Sequence, residues 1–114
     1  MLELMEVIES YNEYINKIPK GTMSIANYLR ENQIREALES IKNFSEGVMW
    51  LTHASELIIE NKGEAPLAIN KIREFLSEIN EGLERQDYVL VADLFEYEIA
   101  PFFEEVQEAI AAIQ

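Results

Sequence analysis

The sequence predicts an all-α fold, an up-down-up-down four-helix bundle made of two tandem helical hairpins. Three observations carry that expectation. Apolar residues recur at alternating steps of three and four along most of the chain, short polar turns punctuate the pattern at three places, and one tetrapeptide repeats with the pattern behind it in register. Composition agrees: hydrophobic residues are 48% of 114, with 4 Gly and 3 Pro, enough apolar material for one core and few turn formers for a many-stranded β fold. Residues 1–114 read as a single domain, with hairpin 1 at about 2–62 and hairpin 2 at about 66–113.

The first stripe is Leu4, Ile8, Tyr11, Ile15, Ile18, Thr22, Ile25 and Leu29. It passes straight through Pro19, which removes a donor to the Ile15 carbonyl, so the helix is expected to be kinked or broken near Pro19. The stripe stays in phase across the proline, which favours a kink. Arg30-Glu31-Asn32-Gln33 is a short turn with Asn32 as the expected N-cap, and its brevity makes the next helix antiparallel. That second helix presents Ile34, Ala37, Leu38, Ile41, Phe44, Val48, Leu51 and Ile58, while Ser45, Thr52 and Ser55 suit bonds back to carbonyls one turn earlier. Trp50 and Leu57 flank the stripe.

Asn61 to Pro66 is the clearest punctuation, with Gly63 suited to a left-handed helix end and Pro66 to the first position of a third helix. Ile69, Ile72, Leu76, Ile79 and Leu83 form its seam, beside Phe75, and Gly82 weakens it by about 1 kcal/mol relative to Ala. After Glu84-Arg85-Gln86-Asp87, with Asp87 as N-cap, the last helix carries Tyr88, Ala92, Phe95, Ile99, Phe102, Val106, Ala109 and Ile113 as its seam. Pro101 leaves the Tyr97 carbonyl without its helical donor, so this helix is expected to be kinked near Pro101.

Ile15-Asn16-Lys17-Ile18 recurs as Ile69-Asn70-Lys71-Ile72, an offset of 54 positions. The same offset pairs Ile25 with Ile79, Leu29 with Leu83, Ile34 with Tyr88, Ile41 with Phe95 and Val48 with Phe102, and superposes the two shortest turns. It reads as a duplicated helical hairpin. One difference between the copies stands out. Leu90, Leu94, Tyr97 and Pro101 form a second apolar row on the last helix, where the first copy has Glu36, Ser40, Asn43 and Gly47.

Acidic residues number 22 against 9 basic, and a net charge of -13 repels nucleic-acid phosphates and anionic lipid alike. No apolar run approaches a membrane span, and the N-terminus has acids where a signal peptide has basic residues, so a cytoplasmic location is expected. Without Cys there is no disulfide and no thiolate metal site. His53, the one histidine, follows Trp50 by three, so the Glu-x-x-His signature of di-iron bundles is missing. Asp93 and Glu96 share a face that could hold a divalent cation weakly, but an acidic chain makes such pairs constantly. Phosphate loops and nucleophile motifs are missing too.

No catalytic residue, cofactor or metal site is therefore expected. The leading expectation is a non-enzymatic protein-interaction module, adaptor or chaperone-like, that docks a protein partner or a second copy through Leu90, Leu94, Tyr97 and Pro101. The alternative is a small-ligand or divalent-metal-binding bundle using Asp93, Glu96 and the tyrosines.

The segment Asp87 to Pro101 resembles a family of small, uncharacterised bacterial helical proteins. Their last helix carries an Asp before an apolar run, then Ala-Asp-Leu, an acidic-Tyr-Glu step and a Pro, as in Asp87, Ala92-Asp93-Leu94, Glu96-Tyr97-Glu98 and Pro101 here. The resemblance implies a helical fold and no assigned activity.

Overall fold

In the computed structural model, which describes residues 2–113, the first stripe folds as one helix, α1 (Leu2–Arg30), with Pro19 inside it. The ends of the 1–114 expectation, Met1 and Gln114, lie outside the described residues. Of the two outcomes expected at Pro19, a kink or a break, the helix does not break. Ile15, Ile18, Thr22 and Ile25 are all buried, and burial at ~1.5–3 kcal/mol per large apolar side chain outweighs the ~3 kcal/mol disruption of an internal proline. The Thr22 hydroxyl donates to the Pro19 carbonyl at 2.7 Å.

Two further helices follow, α2 (Ile34–Glu60) and α3 (Ile69–Glu84). The last rod consists of α4 (Tyr88–Leu94), a π-helical turn (Phe95–Ile99) and α5 (Ala100–Ile113). The four rods make an all-α four-helix bundle, with no strand among the described residues.

Three reversals join the rods, and all close the same way. Asn32, Lys62 and Gln86 adopt φ of 61°, 65° and 55°. In each case the left-handed residue donates to the carbonyl three back, and the next residue donates to the carbonyl five back. These pairs are Asn32 to Leu29 with Gln33 to Tyr28, Lys62 to Ile59 with Gly63 to Ile58, and Gln86 to Leu83 with Asp87 to Gly82. This is the Schellman closure, which gives donors to carbonyls the helix end leaves bare.

Several expectations are corrected here. Asn32 closes α1 rather than capping α2, whose cap is Gln33 with no side-chain bond. Lys62, not Gly63, is left-handed. Gly63 comes one residue later, where a Cβ would strike the Ile58 side chain, so the glycine answers to close approach. Pro66 does not begin α3. Leu67 is buried and holds the linker against the core in extended form, so the helix starts at Ile69. Asp87 does cap α4, its carboxylate accepting from Leu90 N–H at 3.1 Å.

α1 packs along both α2 and the last rod, and its contacts show the antiparallel order. Arg30, at its C-terminal end, reaches Asp93 and Glu96, while Gln107 Nε2 donates to the Asn16 carbonyl at 3.2 Å. α3 lies against α4. The centre is aromatic, Phe44 meeting Phe95 edge-on at 5.2 Å and Phe103 at 6.4 Å between centroids. Thr52 bonds back to the Val48 carbonyl as expected, but the buried Ser55 hydroxyl donates instead to the Tyr11 hydroxyl at 3.1 Å. Burial pushes the Tyr11 phenol above its ordinary pKa, the Ser55 bond opposing, and this polar pair sits satisfied within the core.

The two hairpins share local structure at the 54-residue offset up to the π turn and lose it there. The closures at Asn32 and Gln86 are equivalent, as are the buried pairs Ala37 with Val91 and Ile41 with Phe95. Beyond the turn, buried Phe44, Val48, Leu51 and Ser55 correspond to buried Ile99, Phe103, Val106 and Ile110, one position further on. An i→i+5 turn takes in one residue more than an α turn, and Ala100 N–H duly donates to the Phe95 carbonyl. The expected seam through Phe102, Ala109 and Ile113 is accordingly off by one. Phe103 and Ile110 are buried, Phe102 and Ala109 half-buried, and Ile113 exposed. Near Pro101, where a kink was expected, the helix is irregular: the turn just before the proline is widened, which eases the ring's clash with the preceding turn.

Candidate functional site

The second apolar row of the last helix does not stay together. Leu94 is 4% exposed and belongs to the core, whereas Leu90 is 49% and Tyr97 65% exposed, and Pro101 is exposed as well. The cause lies on α3. Gly82 faces α4 so closely that a Cβ there would run into the Val91 side chain. The groove left by the missing side chain is lined by Gly82, Leu90 and Leu94. In the first hairpin the equivalent positions carry Tyr28 and Ser40, which line the matching groove between α1 and α2. Bulk has changed sides, Tyr with Ser in one copy and Gly with Leu in the other. Leu94 is therefore not available to a partner, and the expected docking row loses it.

This packing makes Gly82→Ala a sensitive substitution. Alanine improves helix propensity by about 1 kcal/mol, but forcing a methyl against buried Val91 costs about 1–3 kcal/mol. We expect net destabilisation, read as a lower denaturant midpoint at unchanged slope.

Asp93 and Glu96 are not a free carboxylate pair. The Arg30 guanidinium donates to Asp93 Oδ1 at 2.9 Å and to Glu96 Oε1 at 2.9 and 3.2 Å. The bonds to Asp93 and then Glu96 raise the already high pKa of Arg30. Solvent screens an exposed cluster of this kind, so it contributes little to stability. Its geometry ties the end of α1 to the π turn, and a cation would have to displace Arg30. Among the described residues no three His, Cys, Asp or Glu side chains converge as a metal site. His53 is exposed on α2.

What remains on the last rod is a solvent-facing stripe. Val89, 69% exposed, joins Leu90, Tyr97 and Pro101, and exposed Glu104, Glu105 and Glu108 continue it along α5. Tyr97 stands within the π turn and Pro101 just after it. Val89 is the member that the sequence row missed, because it falls outside the four-and-three spacing of Leu90, Leu94, Tyr97 and Pro101.

A second feature lies on α1 and α2. Gly47, unexplained by its sequence, leaves room for the Tyr14 ring, which leans on Trp50 with centroids 6.2 Å apart. Burial raises the Tyr14 pKa. Beside Tyr14 a cleft of about 290 Å³ opens, lined by Lys17, Gly21, Tyr28, Ser40 and Phe44 among others.

Fold and surface define an acidic four-helix bundle protein with an apolar stripe open to solvent on its last rod. No helix among the described residues is long and apolar enough to cross a membrane. The model of the family described as Domain of unknown function (DUF8042) matches residues 6–109, and the chain belongs to that family. The match includes the Asp87–Pro101 segment, and the resemblance read there to an uncharacterised helical family holds. No curated protein and no solved structure matches the chain.

Proposed function

We propose that the protein is a non-enzymatic cytoplasmic interaction module, adaptor or chaperone-like, whose last helix docks a basic amphipathic segment of a protein partner. The observation that carries this reading is the exposure of Tyr97, 65%, in a row with Val89, Leu90 and Pro101. Burial of such side chains contributes ~1.5–3 kcal/mol each when complete, before the costs of association. Glu104, Glu105 and Glu108 continue the stripe and select for positive charge, as does the net charge of -13. A segment with apolar residues at one end and Lys or Arg at the other complements both halves.

The test is a titration of ¹⁵N-labelled protein with a synthetic helical peptide of leucines followed by lysines. Shifts should concentrate on Val89 to Glu108, weaken with salt and largely disappear in Tyr97→Ala. Shifts scattered over the acidic surface, with this stripe unaffected, would overturn the proposal. Sedimentation of the free protein addresses the other occupant. A wild-type dimer that Tyr97→Glu dissociates would put a second copy on the stripe in place of a partner.

A further inference from the structure

The first hairpin is open at the place where the second is filled. Gly21 lies in the interior of α1, where glycine costs about 1 kcal/mol relative to alanine. Its φ is not positive, it is exposed, and a Cβ built on it would meet nothing within 4 Å. Neither backbone conformation nor packing inside the chain accounts for it.

Its counterpart 54 positions on is Phe75, which is 2% exposed and meets Phe102 edge-on at 5.3 Å. Beyond the π turn the offset is 55, so the counterpart of Phe102 is Gly47. An aromatic pair in hairpin 2 is thus a pair of glycines in hairpin 1. Tyr14 occupies the space over Gly47, and the cleft lies beside Gly21.

We propose that this cleft between α1 and α2 binds a small aromatic carboxylate, its ring taking the place that Phe75 fills in the second hairpin. Ile18, Ile25 and Phe44 supply apolar lining, and about 290 Å³ suits a molecule of one or two rings, at the lower end of ligand pockets. The charge follows from a lysine that the repeat also preserves. Lys71 holds its ammonium 5.1 Å from the Phe75 centroid and pairs with Glu74 at 3.4 Å. Its counterpart Lys17 lines the cleft, but Lys20 stands where Glu74 would be, and among the described residues Lys17 makes no ion pair. A ring at Gly21 gives Lys17 the cation–π contact, and a carboxylate on that ring gives it the missing charge. The cleft is separate from the stripe on the last helix and owes nothing to a partner docking there.

Phenylacetate is the probe, with cyclohexylacetate and benzyl alcohol as controls for ring and charge, followed by amide shifts in the ¹⁵N-labelled full chain. Phenylacetate should give saturable shifts at Gly21, Ser24 and Asn43, half-complete near about 1 mM, and both controls should bind at least several-fold more weakly. Lys17→Ala should weaken binding roughly tenfold. Gly21→Phe, which copies the second hairpin, should remain folded and lose binding. Should that variant fail to fold, Ser40→Leu, which copies Leu94, serves in its place and should also lose binding. The proposal fails if phenylacetate gives no saturable shift at Gly21, if cyclohexylacetate binds equally well, or if a folded cleft-filling variant binds as the wild type does.

Discussion

Leu94→Ala is expected to destabilise the protein by about 2–5 kcal/mol, and Tyr97→Ala, three residues on, by less than about 0.5 kcal/mol. The two side chains belong to one apolar row in the sequence, and a row that was wholly core or wholly surface would give similar values. Leu94 is buried beside Gly82 and Val91, where truncation leaves a cavity that two helices in close contact cannot collapse to fill. Tyr97 is open to solvent, so its removal takes little packing away. Urea unfolding of both variants measures the difference directly. Leu94→Glu should be more severe still, since it puts a carboxylate in place of a buried apolar side chain. A loss of several kcal/mol from Tyr97→Ala would mean that the ring packs on the bundle, and the docking stripe would then lose its central residue.

The helices were legible in the sequence because each has a stripe that buries against the others, and the reversals because polar residues interrupt those stripes. Asp87 could be placed as a cap because a carboxylate before an apolar run has one local donor set to satisfy. The left-handed residues were harder to place. Steric preference for glycine pointed to Gly63, whereas position is dictated by which carbonyls the helix end leaves bare, and that falls on Lys62. The π turn was not legible. Phe102 and Phe103 are adjacent and both aromatic, so a seam carried at constant offset passes through one as readily as the other. Pro101 announced a disturbance without saying whether the helix would bend or take in a residue.

The candidate site shows the same division. The excess of apolar residues on the last helix was visible, but its splitting into core and surface depends on Gly82, one helix away. That information was present in the repeat, where Tyr28 and Ser40 exchange bulk with Gly82 and Leu94, and it could be read only once the facing helices were known. Gly21 and Gly47 both lie inside helices, where glycine is unfavourable. Their reasons differ, one making room for Tyr14 and the other bordering a cleft.

The last helix contains one residue more than its counterpart, taken up in the turn Phe95–Ile99. Deleting Tyr97 in a Pro101→Ala background tests it most directly, with deletion of Glu104 in the same background as comparison. Without Tyr97, the steps from Phe95 through Ile99, Phe103, Val106 and Ile110 become three, four, three and four, those of an uninterrupted α stripe. That variant should keep its helical circular dichroism and unfold within about 2 kcal/mol of the undeleted background, most of the difference being local rearrangement around the turn. Deletion of Glu104 instead turns Val106 and Ile110 by about 100° away from the core, forfeiting ~1.5–3 kcal/mol for each. With one residue taken up in the π turn, the first deletion is tolerated and the second is severe. Equal damage from both would contradict it.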